Sequence, residues 1–310
     1  MVLNQPTRLN LYVIISLSAL LVYAAAFGDL IFKSSFEGTH IVVTSTDDGG
    51  PGTLRQALLD AQDNDIITFD PAVFPPSDPV TISITSPLEP IDDNRLMLDA
   101  SNAGVVLDGS LLPDEWLAGL AMVSCQGATI RGLRITNFPG PGIYVSGDAR
   151  NNVIGGDRNI GAGPFGQGNQ LIHNSDGVFL ATPGTSRNII KGNLIGTDTA
   201  GIAQLGNELN GMRIDGANGN TIGPDNIIAY NGESGVHLSG PNTVNNTITR
   251  NSIWGHAHDG IHSNGASQSL ITGNIIGGNG SGISLCCVTE GRNSVRDNII
   301  GADVGGENPL

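Results

Sequence analysis

The chain has 310 residues, 44 of them glycine, with 14% charged residues and a formal net charge of −15. So low a charge content excludes a typical disordered chain, and the lack of a G-X-Y period excludes collagen. The only lysines are Lys33 and Lys191, too little basic surface to neutralise phosphates, so nucleic acid is excluded as a partner.

In chain order, residues 1–26 stand apart. Arg8 gives a weak positive start, Leu11 to Val22 is nearly all apolar, and Ala24-Ala25-Ala26 supplies small residues for cleavage. This predicts a secretory signal peptide, with an N-terminal membrane anchor as the alternative. Either way the remainder lies outside the cytoplasm: secreted, periplasmic or at the cell surface. Residues 27–40 read as a linker. Residues 41–69 read as an N-terminal cap: a strand "IVVTS", the segment "GPGTLRQALLDAQ", then the strand "DIITF". Leu54, Ala57, Leu58 and Ala61 fall on one helical face, and Thr53 with Gln56 predicts a capping box.

Residues 70–310 carry a repeat. Gly-led segments recur as "GIYVS" (142), "GVFLA" (177), "GMRID" (211), "GVHLS" (235), "GIHSN" (260) and "GISLC" (282). Between them runs Asn-x-(Ile/Val)-x-x-Asn-x-Ile, as in "NIIKGNLI", "NTITRNSI" and "NSVRDNII". Spacings of 22 to 35 residues mean a solenoid. Short alternating strands without a 3.6-residue period exclude helical repeats. The pattern predicts an all-β parallel β-helix, one coil per repeat, with asparagines stacked at the turns. Two longer units, "GGDRNIGAGPFGQGN" and "GTDTAGIAQLGN", read as loops extruded from one corner. Within the first, "GAGPFGQG" matches a phosphate-loop spacing, but no helix pattern follows it. The three cysteines make no disulfide framework and are expected as free thiols.

The run "GPGTLRQALLDAQ…ITF", then "GVVLDGS", "ATIRGLRITNFPGPGIYV" and the Asn/Ile/Gly coils resembles secreted bacterial right-handed parallel β-helix proteins of the pectin-lyase-like superfamily. The resemblance spans roughly Ile41 to Gly306. It implies a right-handed solenoid with an N-terminal capping helix, and a function among polysaccharide lyases, epimerases, glycoside hydrolases or non-catalytic surface proteins. The superfamily's paired-Asp and His-Gly hydrolase motifs and its Asp-Pro-His epimerase signature are not found in this sequence.

Strand alternation assigns directions. Counting from each leading Gly, the columns Ile143/Val178/Met212/Val236/Ile261/Ile283 and Val145/Leu180/Ile214/Leu238/Ser263/Leu285 should face the core. Tyr144, Phe179, Arg213, His237, His262 and Ser284 should then face outward, His262 one coil from His237 and two from Arg213. His237, His262, Arg213 and Asp259 are the catalytic candidates. Tyr144, Phe179, Asp215 and His258 are the substrate-binding candidates. An imidazole titrates near neutral pH and suits a base that removes a proton beside a uronate carboxylate. Arg213 would neutralise that carboxylate, with Ca²⁺ held by Asp215 or Asp259 as an option. The opposing reading is that polar residues occupy outward strand positions by default. His256 and His258 are placed in the turn before the strand without a role, and no zinc pattern is complete. The expected partner is an extracellular polysaccharide, the alternative function being a cell-surface structural or adhesin-like rod. The last coil, "NSVRDNIIGADVGGENPL", has no cap of its own. End-to-end self-association through this coil, or a longer parent chain, is therefore expected, with Asp303 and Glu307 blunting the edge only partly.

Overall fold

In a computed structural model, residues 38–288 and 291–302 are described. The predicted signal peptide or anchor, most of the 27–40 linker, and Asp303 and Glu307 lie outside them. Among the described residues no helix is long and apolar enough to cross a membrane.

The unit His40–Leu310 is a right-handed parallel β-helix. Among the described residues three parallel sheets of ten, nine and seven strands stack along it, and from Leu120–Val123 onward each coil adds one strand to each. The ten-stranded sheet begins with His40–Val43 and Ile66–Phe69 and ends with Ser294–Arg296. The nine-stranded sheet runs from Val80–Ser83 to Ile299–Ile300. The seven-stranded sheet runs from Leu120–Val123 to Ser281–Cys286 and contains all six Gly-led segments.

The helix spans Leu54–Asp60. Thr53 Oγ1 accepts the Gln56 N–H, forming half of the expected capping box. The other half is absent: the Thr53 N–H donates to the Gly50 carbonyl, and Gln56 Nε2 donates to Asp60. Leu54, Ala57 and Leu58 are buried in the common core, with Ala61 packed against it.

The core is one column per inward strand position. Ile143, Val178, Met212, Val236 and Ile261 are fully buried, as are Val145, Leu180, Ile214 and Leu238. Ser263 is buried too, its hydroxyl donating to the Ala266 carbonyl at 3.4 Å. Leu285 departs from the expected inward column: it is 41% exposed, on the last strand of its sheet among the described residues.

Asparagine ladders join the coils. Asn152, Asn188, Asn220 and Asn246 form one: each backbone N–H donates to the next side-chain Oδ1. Asn193, Asn226, Asn251, Asn274 and Asn298 form a second. A third runs Asn174, Asn207, Asn231, His256, Asn279. Each satisfies backbone groups that the corner removes from the sheets. The leading glycines are explained by this third ladder. A Cβ on Gly235 would lie 2.5 Å from the Gly260 carbonyl and 2.7 Å from His256 Nε2. Gly211 and Gly260 are crowded in the same way by Asn231 and Asn279.

The extruded loops do not share a corner. One, at 156–168, lies between the ten- and nine-stranded sheets; the other, at 196–210, lies between the nine- and seven-stranded sheets. Both pack on the outer face of the nine-stranded sheet: Phe165 sits under Arg134, and Trp254 donates to Gly201 O. His256 lies in the turn before the strand Asp259–Asn264, as expected, and that turn buries it. It is 3% exposed and fills an asparagine's place in the ladder.

Candidate functional site

The outward positions of the seven-stranded sheet stack one coil apart. Parallel pairing places Tyr144 beside Phe179, Phe179 beside Arg213, Arg213 beside His237 and His237 beside His262. A one-residue slip would send Met212, Ile214, Val236 and Leu238 into water, so burial of these neighbours sets the direction of the column. All five side chains are partly buried, packed on one another rather than splayed into solvent.

At one end the column is aromatic. The Tyr144 and Phe179 ring centroids are 5.5 Å apart. Trp116, from the turn before the strand Leu120–Val123, joins them edge-on at 5.0 Å from Tyr144 and 6.2 Å from Phe179. Trp116 is 52% exposed and presents an apolar face to solvent. Sequence reasoning missed it, since it lies outside the Gly-led repeat; the one signal was an aromatic in the polar turn "PDEW".

The middle of the column is cationic. The Arg213 guanidinium lies 4.6 Å above the Phe179 ring, a cation–π contact. One of its terminal nitrogens is 3.3 Å from Asp215 Oδ2. Its Nε is buried and makes no hydrogen bond.

The far end holds the two imidazoles. His237 and His262 meet edge to face, centroids 5.0 Å apart. His262 Nδ1 is 2.6 Å from Asp259 Oδ2. That contact holds the ring by Nδ1–H and leaves Nε2 as the free lone pair, the arrangement of an oriented general base. Burial, then His262 and Arg213 beside it, pushes the His237 pKa down, favouring the neutral ring. His237 Nε2 and Ser239 Oγ are buried without a hydrogen-bond partner.

Asp176 adds a group that sequence reasoning did not single out as a site. It lies just before Gly177, almost fully buried, and its Oδ1 accepts both the N–H and the side-chain amide of Asn210. Burial raises its pKa despite those bonds.

The remaining candidates fall as follows. Asp259 joins the cluster through His262 and Asp215 through Arg213. His258 is exposed, and its side chain makes no hydrogen bond among the described residues. Ser146 and Ala181, two residues after Tyr144 and Phe179 on the same strands, are buried because the chain bends into the next corner directly after them. Among the described residues no group of three His, Cys, Asp or Glu side chains converges as a metal site. Asp215 and Asp259 are engaged by Arg213 and His262 and lie on different strands. They do not make a calcium site between them. Cys125, Cys286 and Cys287 are free thiols.

Comparison with known proteins agrees on the fold. A family model described as a right handed beta helix region matches residues 205–306. A point mutant of the periplasmic alginate epimerase AlgG is similar in structure, with 14% identity, a TM-score of 0.54, and coverage of 82% of this chain and 54% of that one. A pectate lyase is similar with 15% identity, a TM-score of 0.50, and coverage of 88% and 72%. The chain thus spans about half the length of that epimerase structure. No curated protein matches the sequence. The likeness is one of fold, a right-handed parallel β-helix.

Proposed function

We propose that this chain is an exported protein that binds and chemically processes a uronate-containing polysaccharide along the outer face of the seven-stranded sheet. The observation that carries the reading is the unbroken column Tyr144–Phe179–Arg213–His237–His262, in which aromatic, cationic and imidazole groups follow one another coil by coil. A chain substrate lying along the axis would meet them in that order. The similar structures, named for alginate and pectate, support a substrate of this class.

Trp116, Tyr144 and Phe179 would stack on sugar rings, burying apolar faces that water solvates poorly. Arg213 would neutralise the uronate carboxylate, which a chain of net charge −15 otherwise repels. With the carboxylate neutralised, the proton on the adjacent ring carbon becomes more acidic. His262 Nε2 takes that proton, with Asp259 holding the ring and stabilising the imidazolium formed. The electron pair left on carbon delocalises into the carboxylate. Its return either expels the neighbouring glycosidic oxygen, which leaves as a hydroxyl with a proton from the His262 imidazolium or water and forms an unsaturated sugar, or captures a proton from water on the opposite face, giving the epimer.

The test is a panel of alginate, pectate and neutral polysaccharides incubated with the full chain. Ultraviolet absorbance of unsaturated ends reports elimination, and proton NMR of the sugar reports epimerisation. Either product, lost in His262→Ala at unchanged melting temperature, supports the reading. Glycan binding without either product would make the face a lectin. No binding by this face would leave the column a row of solvated polar residues on a surface rod, and the proposal would fail.

A further inference from the structure

A second concave surface lies one corner away, after the nine-stranded sheet, and the column above does not use it. At the end of each strand there the chain must turn sharply. Asn137, His173, Tyr230, Gly255 and Gly278 all take left-handed φ, between 55° and 72°. Glycine does so freely, whereas a bulky tyrosine is an outlier. Strain of this kind gathers at functional sites. Tyr230 is held in place by its N–H donating to Trp254 O at 3.1 Å. Its ring lies over Gly255, where a Cβ would come within 2.7 Å of Cδ1 and Cε1.

The half-buried Tyr230 ring, with His173, Gln204 and Glu208, lines a cavity of about 590 Å³. Its floor is backbone. A Cβ on Gly206 would sit 2.0 Å from the Tyr230 carbonyl, and one on Gly232 would sit 2.1 Å from the Glu208 carbonyl. The wall formed by the 196–210 loop is anchored. Trp254 Nε1 donates to Gly201 O at 3.1 Å, and Gln170 Nε2 donates to Thr197 O at 2.8 Å. A second cavity of about 440 Å³ shares His173, Gly206 and Glu208 and continues to Asp114 and Gly109. At about 4.8 Å per coil, the five steps from Gly109 to Gly255 make a groove about 24 Å long.

We propose that this groove is a second glycan-binding site, taking a chain of uncharged pyranose rings. Tyr230 supplies the stacking face, and His173, Gln204 and Glu208 supply hydrogen bonds to hydroxyls. The bare floor lets flat rings approach closely. The charge selects against uronates: Asp114 and Glu208 line the groove, and neither lining contains Lys or Arg. The face bearing Arg213 is opposite in this respect, so one rod would hold two different polysaccharides. This site stands or falls independently of the histidine column.

Calorimetry of the full chain with cellohexaose, xylohexaose, mannohexaose and a hexagalacturonate tests it. The decisive variant is Tyr230→Gly, which removes the ring and places glycine at a left-handed position where it is at home. At least one neutral hexasaccharide is expected to bind and to lose about tenfold in affinity in Tyr230→Gly. Phe179→Ala and His262→Ala should leave that affinity unchanged. The proposal is overturned if no neutral hexasaccharide binds in the millimolar range or tighter. It is equally overturned if binding survives Tyr230→Gly with an unaltered melting curve, or if Phe179→Ala weakens it as much.

Discussion

Replacing His256 tests how the coils are held together. The ring is 3% exposed and acts as an asparagine. Nδ1 accepts the Asn231 N–H at 3.1 Å, and Nε2 donates to the Ile228 carbonyl at 3.2 Å. Asn231 and Asn279 make the matching amide bonds to Ile195 and Ile253. Only the neutral ring does both, because a proton on Nδ1 would face an N–H. Burial accordingly lowers the pKa from 6.5 to about 4. The folded value is depressed, so the contribution is complete above the unfolded pKa and is lost as pH falls through the folded one. At about 1.36 kcal/mol per pKa unit, the wild type should lose about 3 kcal/mol through this residue between about pH 7 and about pH 4. His256→Asn restores the ladder's usual side chain. It should match the wild type near neutrality and lack this acid-dependent loss. His256→Ala leaves one N–H and one carbonyl unpaired and should cost about 1–3 kcal/mol for each near neutrality, the gap to the wild type narrowing toward low pH as the wild type loses its own contribution. Urea unfolding followed by circular dichroism across this range measures all three. If His256→Asn and the wild type lose stability in parallel toward low pH, the ladder assignment of a neutral imidazole is wrong.

Gly235→Ala should destabilise by about 1–3 kcal/mol or more, since its Cβ has no room beside Gly260 O, Ile253 Cγ2 and His256 Nε2. Gly49→Ala, with nothing within 4 Å and no left-handed φ, should stay within about 0.5 kcal/mol of the wild type in the same thermal melts. Met212→Ala, deep in the core, should cost about 2–5 kcal/mol, and a loss below 1 kcal/mol would contradict its full burial. Asp176→Asn keeps the acceptor for Asn210 and removes a buried charge. The raised pKa of Asp176 means stability present at low pH is lost as pH rises through the folded value. The variant should therefore melt higher than the wild type at neutral pH, with the gap closing in acid.

The repeat of Gly-led segments and paired asparagines determined the solenoid, the strand directions and the outward column. Alternation does this locally, because burying Met212 and Ile214 forces Arg213 outward whatever else the chain does. The helical face of Leu54, Ala57 and Leu58 was legible for the same reason. The residues misread or missed have partners far along the chain. Trp116 reaches Phe179 only because three coils bring their surfaces together. His256 follows the same short pattern as an exposed turn histidine, and its ladder role depends on Asn231 and Asn279, one coil on either side. The two long loops were separable only by the sheets they connect. Periodicity therefore settled what each strand does within its own coil. Contacts between coils decided the rest, since they depend on how many residues each corner takes up, and that number varies from coil to coil.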